Sequence, residues 1–205
     1  MKRLYYIIAT FWFASSAGAQ WEVIDEGDLA FVISAQSNAI TEVTQGFDLL
    51  PIEHVAIMHR IGGDEGPLYA LEAISKGVCL TPIDSFISNN GGLEYILIGK
   101  IQELDSNKSI HNALQYVGRQ YDYNYMPDND EIYCSELVQK CYISIDGNPV
   151  FNTIPMTFRN PAGIIHPHWI QHYAKQGLTV PEGVPGSNPG NLSRNAKVKI
   201  VSIKK

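Results

Sequence analysis

Cys134 is placed to act as a nucleophile. It opens the stretch CSELVQKCYISI (134–145), whose Leu137, Val138, Cys141 and Ile145 fall on one helical stripe, so the thiol is predicted at a helix N-terminus. There the helix dipole and the unpaired backbone N–H groups favour a thiolate, and the same groups can stabilise an oxyanion. Cysteine is also an ordinary small core residue, and Cys141 is expected to be that. His54 lies inside the β-rich run IEHVAIMHRI (52–61), and Glu72 inside PLYALEAI (67–74), with GGDEG (62–66) between them. A hairpin register with its turn centred on Gly63 sets His54 directly opposite Glu72, within reach of a carboxylate–imidazole bond. A slip of one residue loses that pair. Singly, the histidine also reads as a core or edge residue and the glutamate as a solvent-facing one. Together the three are the parts of a thiol hydrolase: a nucleophile, a base that later protonates the leaving group, and an acid that orients the base.

Those residues must be held by a mixed set of elements. GDLAFVIS (27–34) reads as a strand, SNAITEVT (37–44) as a short helix or turn, and the runs around GGDEG as a hairpin, with LEYILIGKI (93–101) extending the sheet. SNKSIHNALQYVG (106–118) starts on capping residues and ends on glycine, with Ile110, Ala113, Leu114 and Val117 on one face. A tyrosine-rich acidic connector leads to Cys134, and its Asp128, Asp130 and Glu131 are expected to face water. HPHWIQHYAKQG (166–177) reads as a further helix and KVKIVSI (197–203) as a last strand. The expected class is α+β with an antiparallel sheet.

The chain has 205 residues, 45% of them hydrophobic and 18% charged, with three cysteines. That is too apolar for disorder and too poor in cysteine for a disulfide scaffold. A net charge of −6 argues against a nucleic-acid partner. The first residues, MKRLYYIIATFWFASSAGAQ, run from a basic head (Lys2, Arg3) through an apolar middle to Ala17-Gly18-Ala19. This is the plan of a secretory signal peptide spanning 1–19, which leaves a single domain over 20–205, exported to the periplasm or outside the cell, with no integral membrane segment. An odd cysteine count in an exported protein leaves one thiol unpaired. A Cys79–Cys141 bridge would leave Cys134 free, although nothing in the sequence requires one.

The order GDLAFV, EHVAIMH, LEAISKGV, YDYNYM, IYCSELVQKCY resembles the YiiX/YebB-like branch of the NlpC-related cysteine hydrolases, a circularly permuted papain-like fold. In that branch the histidine and its polar partner precede the cysteine helix, as here. The resemblance implies an antiparallel sheet or half-barrel packed against the cysteine helix, with Cys134 as nucleophile, His54 as base and Glu72 as orienting acid. It implies Tyr121 as a site-lining or oxyanion-donating residue, while Tyr123 and Tyr125 crowd the same loop. Ser135 and Glu136 are expected to cap and start the helix. The resemblance also implies an amide substrate, a cell-wall peptide or peptidoglycan fragment or another small amide, and no cofactor or metal.

Three other readings compete. His166, His168 and His172 lie close enough to suggest zinc, but a fourth ligand and an H-E-x-x-H base are missing. A binding protein on the same fold would not need all three catalytic residues. A lipid- or acyl-directed thiol hydrolase or acyltransferase shares the residue order, as in lecithin:retinol acyltransferase-like enzymes, which usually carry a membrane anchor.

Overall fold

The structure, a computed structural model, describes residues 24–127 and 129–202. The expected signal peptide, Asp128 and the end of the last predicted strand at Ile203 lie outside the described residues. In chain order the elements are β1 (Leu29–Ile33), β2 (Ile52–Arg60), β3 (Leu68–Ile74), β4 (Gly77–Pro82), α1 (Ile83–Asn89), β5 (Ile96–Ile101), α2 (Ser106–Leu114), α3 (Cys134–Cys141), β6 (Ile154–Pro155), α4 (Pro167–Ala174), β7 (Pro185–Gly186), α5 (Pro189–Ser193) and β8 (Val198–Ser202). Six strands form one antiparallel sheet in the order β4-β3-β2-β1-β5-β8, and β6 pairs with β7 apart from it.

β1 is central, and its LAFV run is buried on both faces because the sheet is covered on both. Leu29 and Phe31 point into a core shared with Ile57 of β2, Ile110 and Ala113 of α2, and Leu137, Val138 and Cys141 of α3. Ala30 and Val32 alternate to the other face and pack with Met58, Ile98 and Phe86 of α1. Removing side chains of this size from water stabilises the fold by about 1.5–3 kcal/mol each. A third cluster, Ala39, Met156, Phe158, Trp169 and Tyr173, joins the chain after β1 to α4.

Several expectations are corrected. No strand or helix was assigned by sequence between Ser75 and Gly92, where β4 and α1 form; the Gly77 turn brings β4 back onto β3 at once. Of the two readings of 37–44, a short helix or a turn, the turn is the one that forms, held by Asn38 Oδ1 accepting from the Ile40 and Thr41 N–H groups. α3 stops at Cys141, so Ile145 leaves the predicted stripe and is exposed. α2 ends at Leu114, and Val117 is likewise exposed. The β2–β3 register is shifted by two residues: Ile57 pairs with Leu71 and Arg60 with Leu68, which centres the turn on Asp64 instead of Gly63. His54 therefore lies opposite no residue of the β2–β3 ladder, which ends at Ile57. A two-residue shift preserves the face on which a side chain emerges, so the two side chains can still meet diagonally.

Candidate active site

α3 begins where the connector pairs with itself. Tyr121 bridges to Ile132, the Asp122 N–H donates to the Ile132 carbonyl, and the Ile132 N–H donates to that of Gln120. Two residues later the chain turns into the helix with Tyr133 as N-cap and Cys134 as first helical residue. The N-cap residue makes no side-chain capping bond, and the Glu136 carboxylate lies in the first turn, where the Tyr133 backbone N–H favours its charge. Glu136 also pairs with Lys140 at 2.7 Å, while burial pushes its carboxyl up. The Ser135 hydroxyl, expected to cap, is buried and makes no protein hydrogen bond.

His54 follows an irregularity in the β1–β2 ladder, where Val32 pairs with His54 but Ile33 with Ile52, so Glu53 is the extra residue of a bulge. Bulges re-aim the neighbouring side chain. The His54 Nε2 lies 2.7 Å from Glu72 Oε2, and the side chains are 15% and 5% exposed. The Cys134 sulfur acts on the same ring, and with Nε2 bound to Glu72 the nitrogen left to face it is Nδ1. Burial opposes the cation, yet the bonds and charges of Cys134 and Glu72 outweigh it and push His54 up to about 10 from 6.5. The ring is therefore held as an imidazolium between sulfur and carboxylate. The second Glu72 oxygen, Oε1, accepts the Thr81 hydroxyl at 2.6 Å.

Cys134 opens on a cleft walled by Ile40, Val43, Met156, Phe158 and Trp169, with Tyr121, Tyr125 and Tyr133 beside the sulfur. Of the loop tyrosines, Tyr123 does not line it; half-exposed, its hydroxyl donates to the Ser75 carbonyl at 3.5 Å. Burial, then the charge of Cys134, raises Tyr121, so the phenol stays protonated. Tyr125 is pushed up to about 12, by burial first. Its backbone takes the left-handed φ of 51°, uncommon for a bulky residue. Buried Asp122 holds that turn: its Oδ1 accepts from the Asn124 N–H and its Oδ2 from the Met126 N–H. Of the two tyrosines the sequence leaves open, Tyr125 is the one that lines the cleft; Asp122 and Thr81 carry no sequence expectation, and an Asp two residues before an Asn is the one local signal for the turn.

The Pro-Gly tail also has a place. Asn188 caps α5 by accepting from the Asn191 N–H, and Asn188 and Pro189 line the cleft. A Cβ on Gly190 would stand 1.9 Å from the Thr44 carbonyl oxygen, so only glycine lets α5 close against the 44–46 segment.

The histidines of the zinc reading are engaged elsewhere. The His166 Nδ1 accepts from the His168 N–H at the start of α4, and the His172 Nε2 lies 2.9 Å from the Tyr123 carbonyl. Among the described residues no group of three His, Cys, Asp or Glu side chains is arranged to hold a metal ion. The thiols of Cys79, Cys134 and Cys141 are all unpaired, so the Cys79–Cys141 bridge does not form. Burial pushes Cys141 up to about 12. Asp130 is exposed, as expected of the acidic connector. No helix among the described residues is long and apolar enough to cross a membrane.

The fold is similar to the crystal structure described as metalloprotein yiiX from Escherichia coli O157:H7, with a TM-score of 0.68 at 22% identity, covering 87% of this chain and 96% of that one. At that identity the likeness concerns the fold alone. No curated protein matches the chain. The family whose description matches residues 23–201 is the permuted papain-like amidase enzyme, YaeF/YiiX, a family of cysteine peptidases and amidases. With most of its length matched and a permuted papain-like α+β fold around the cysteine helix, the chain belongs to the permuted papain-like amidases of the YaeF/YiiX family.

Proposed function

We propose that the protein is an exported cysteine amidase that works through a Cys134–His54–Glu72 triad. The observation that supports this most directly is the single imidazole that touches both the cleft-facing sulfur and a buried carboxylate. Cys134 attacks the amide carbonyl as a thiolate, and the carbonyl π electrons move to oxygen. The backbone N–H of Cys134, in the first helical turn with no intrahelical acceptor, is the available donor to that oxyanion, with the protonated Tyr121 phenol, paired to Tyr125, lining the site beside it. Collapse of the tetrahedral species breaks the C–N bond as His54 gives its proton to the leaving amine, leaving an acyl-thioester on Cys134. Water, deprotonated by the now neutral His54, attacks the thioester, and the acid leaves as the thiolate–imidazolium pair reforms. Glu72 holds the ring and its charge throughout.

The resemblance to NlpC-related hydrolases favours a cell-wall peptide, peptidoglycan fragment or other small amide as substrate. The wall around Cys134 favours a second reading, that the acyl part is apolar: Ile40, Val43, Met156, Phe158 and Trp169 offer it an apolar surface, and among the described residues Glu53 is the one charged residue lining the cleft. Wall-peptide amides, simple esters and fatty-acyl amides incubated with wild type and Cys134→Ala, followed by intact-mass measurement of the trapped acyl-enzyme, separate these. The expected result is a Cys134-dependent product and an acyl adduct whose mass names the acyl class. Product formed equally by Cys134→Ala, or bound ligand with no product, would end the amidase reading.

A further inference from the structure

We infer that Thr81 is a fourth, positioning member of the site, which holds the Glu72 carboxylate in the rotation that supports His54. The inference rests on the triad reading and extends it by one strand. Glu72 pairs directly with Cys79 across β3–β4, and Ala70 with Thr81, so Thr81 is the diagonal neighbour of Glu72 on the same face of the sheet. His54 stands diagonally on the other side, from β2. Three adjacent strands thus supply one line of contact: the Thr81 hydroxyl donates to Glu72 Oε1 at 2.6 Å, and Glu72 Oε2 meets His54 Nε2 at 2.7 Å.

A carboxylate with both oxygens engaged cannot turn about its last bond without losing one partner. Glu72 is 4% exposed, so water does not replace a lost donor. Threonine suits the task because its β-branched side chain is stiff at χ1, which fixes the hydroxyl where the carboxylate needs it. The hydroxyl has one proton, and giving it to Glu72 leaves its oxygen as the weak acceptor of the Cys79 thiol at 3.8 Å. Titratable groups touching this line are Cys134 from α3, Glu72 from β3 and Cys79 from β4. Thr81 does not line the cleft, and its one strong partner is Glu72, so it acts through that carboxylate and is not itself catalytic.

The test needs no substrate. Iodoacetamide alkylates a thiolate, and peptide-mass mapping isolates the rate at Cys134 from those at Cys79 and Cys141. On the triad reading the wild-type Cys134 is expected to alkylate faster than a free model thiol. Thr81→Val, of nearly the same shape but with no donor, is expected to slow alkylation at pH 6 about tenfold, because the less supported imidazolium stabilises the thiolate less. Thr81→Ser, which keeps the hydroxyl, is expected to restore the wild-type rate. In a Glu72→Gln background, Thr81→Val should have no further effect, since Thr81 works only through the carboxylate. A Thr81→Val pH profile that overlays the wild type overturns the inference, as does an equal slowing in the Glu72→Gln background or by Thr81→Ser. If Thr81→Val fails to fold, the Thr81→Ser and Thr81→Ala profiles carry the same decision. A wild type whose Cys134 reacts like a free model thiol would sink the triad reading instead, which separates the two failures.

Discussion

Cys134 and Cys141 are the same residue type on the same helix, both buried, seven positions apart, yet their surroundings make them chemically unlike. Cys141 sits at the C-terminal end of α3 among Leu137, Val138, Tyr142 and Phe151, and burial pushes its thiol up to about 12. Cys134 sits at the N-terminal end, on the cleft, with the His54 imidazolium against it. Burial by itself makes a cysteine inert. What separates the two is a cation delivered from β2, together with a helix end whose N–H groups are free to bind an anion.

The contrast breaks first at the sulfur. Cys134→Ala is expected to lower amidase kcat/KM by about 10⁴-fold or more, as removal of a triad nucleophile does. Cys141→Ala assayed beside it should keep the wild-type kcat. An equal loss in both, with circular dichroism unchanged, would show that the two ends do not differ as described. His54→Ala should cost about 10³-fold and, in thiol labelling across pH, make Cys134 react only in the alkaline range of an ordinary thiol.

The pH dependence sharpens the same point. His54 is raised from 6.5 to about 10 in the folded protein, so the pair's contribution to stability is complete below about pH 6.5 and is lost as pH rises through about 10. The rate depends on the protonated ring as acid, so kcat/KM should fall about tenfold per unit above about pH 10. An alkaline limb near 7 would mean that Glu72 and Cys134 do not hold the cation. A smaller effect is expected at the tyrosine loop. Asp122→Ala frees the Asn124 and Met126 N–H groups and lets Tyr125 leave its left-handed turn, lowering kcat/KM by about 10–100-fold while Cys134 labelling stays fast. Smallest is the far end of α3, where Cys141→Ala should cost about 1 kcal/mol, a fall in Tm of about 2–4 °C by calorimetry.

Much of the fold was legible before any coordinates, for identifiable reasons. β1, β2, β3 and β5 are rich in Ile, Leu, Val and Ala, with Gly27-Asp28 before β1 and Gly62 to Pro67 between β2 and β3, and α2 and α4 carry start signals at Asp105 and at His166-Pro167. β4 and α1 were not legible, because GVCLTP and IDSFISN carry no strong period of their own and are shaped by what they pack on. Asp105 accepts from the Lys108 N–H, so the cap of α2 was readable in kind, but the helix end at Leu114 was not.

The amino-acid order alone determined that a cysteine would open a short amphipathic helix and that a histidine and a glutamate would lie on neighbouring strands. These are local matters, set by side-chain period, capping and turn chemistry over a few residues. Only the tertiary structure decided that His54 and Glu72 meet diagonally and not face to face, that Thr81 takes the remaining carboxylate oxygen, and that Asp122 turns Tyr125 into the cleft. Each depends on a register, a bulge or a reversed backbone angle. The register and the bulge are settled by the packing of strands far apart in the chain, whereas the reversed angle at Tyr125 is held within residues 122–126 and only its place in the cleft comes from that packing.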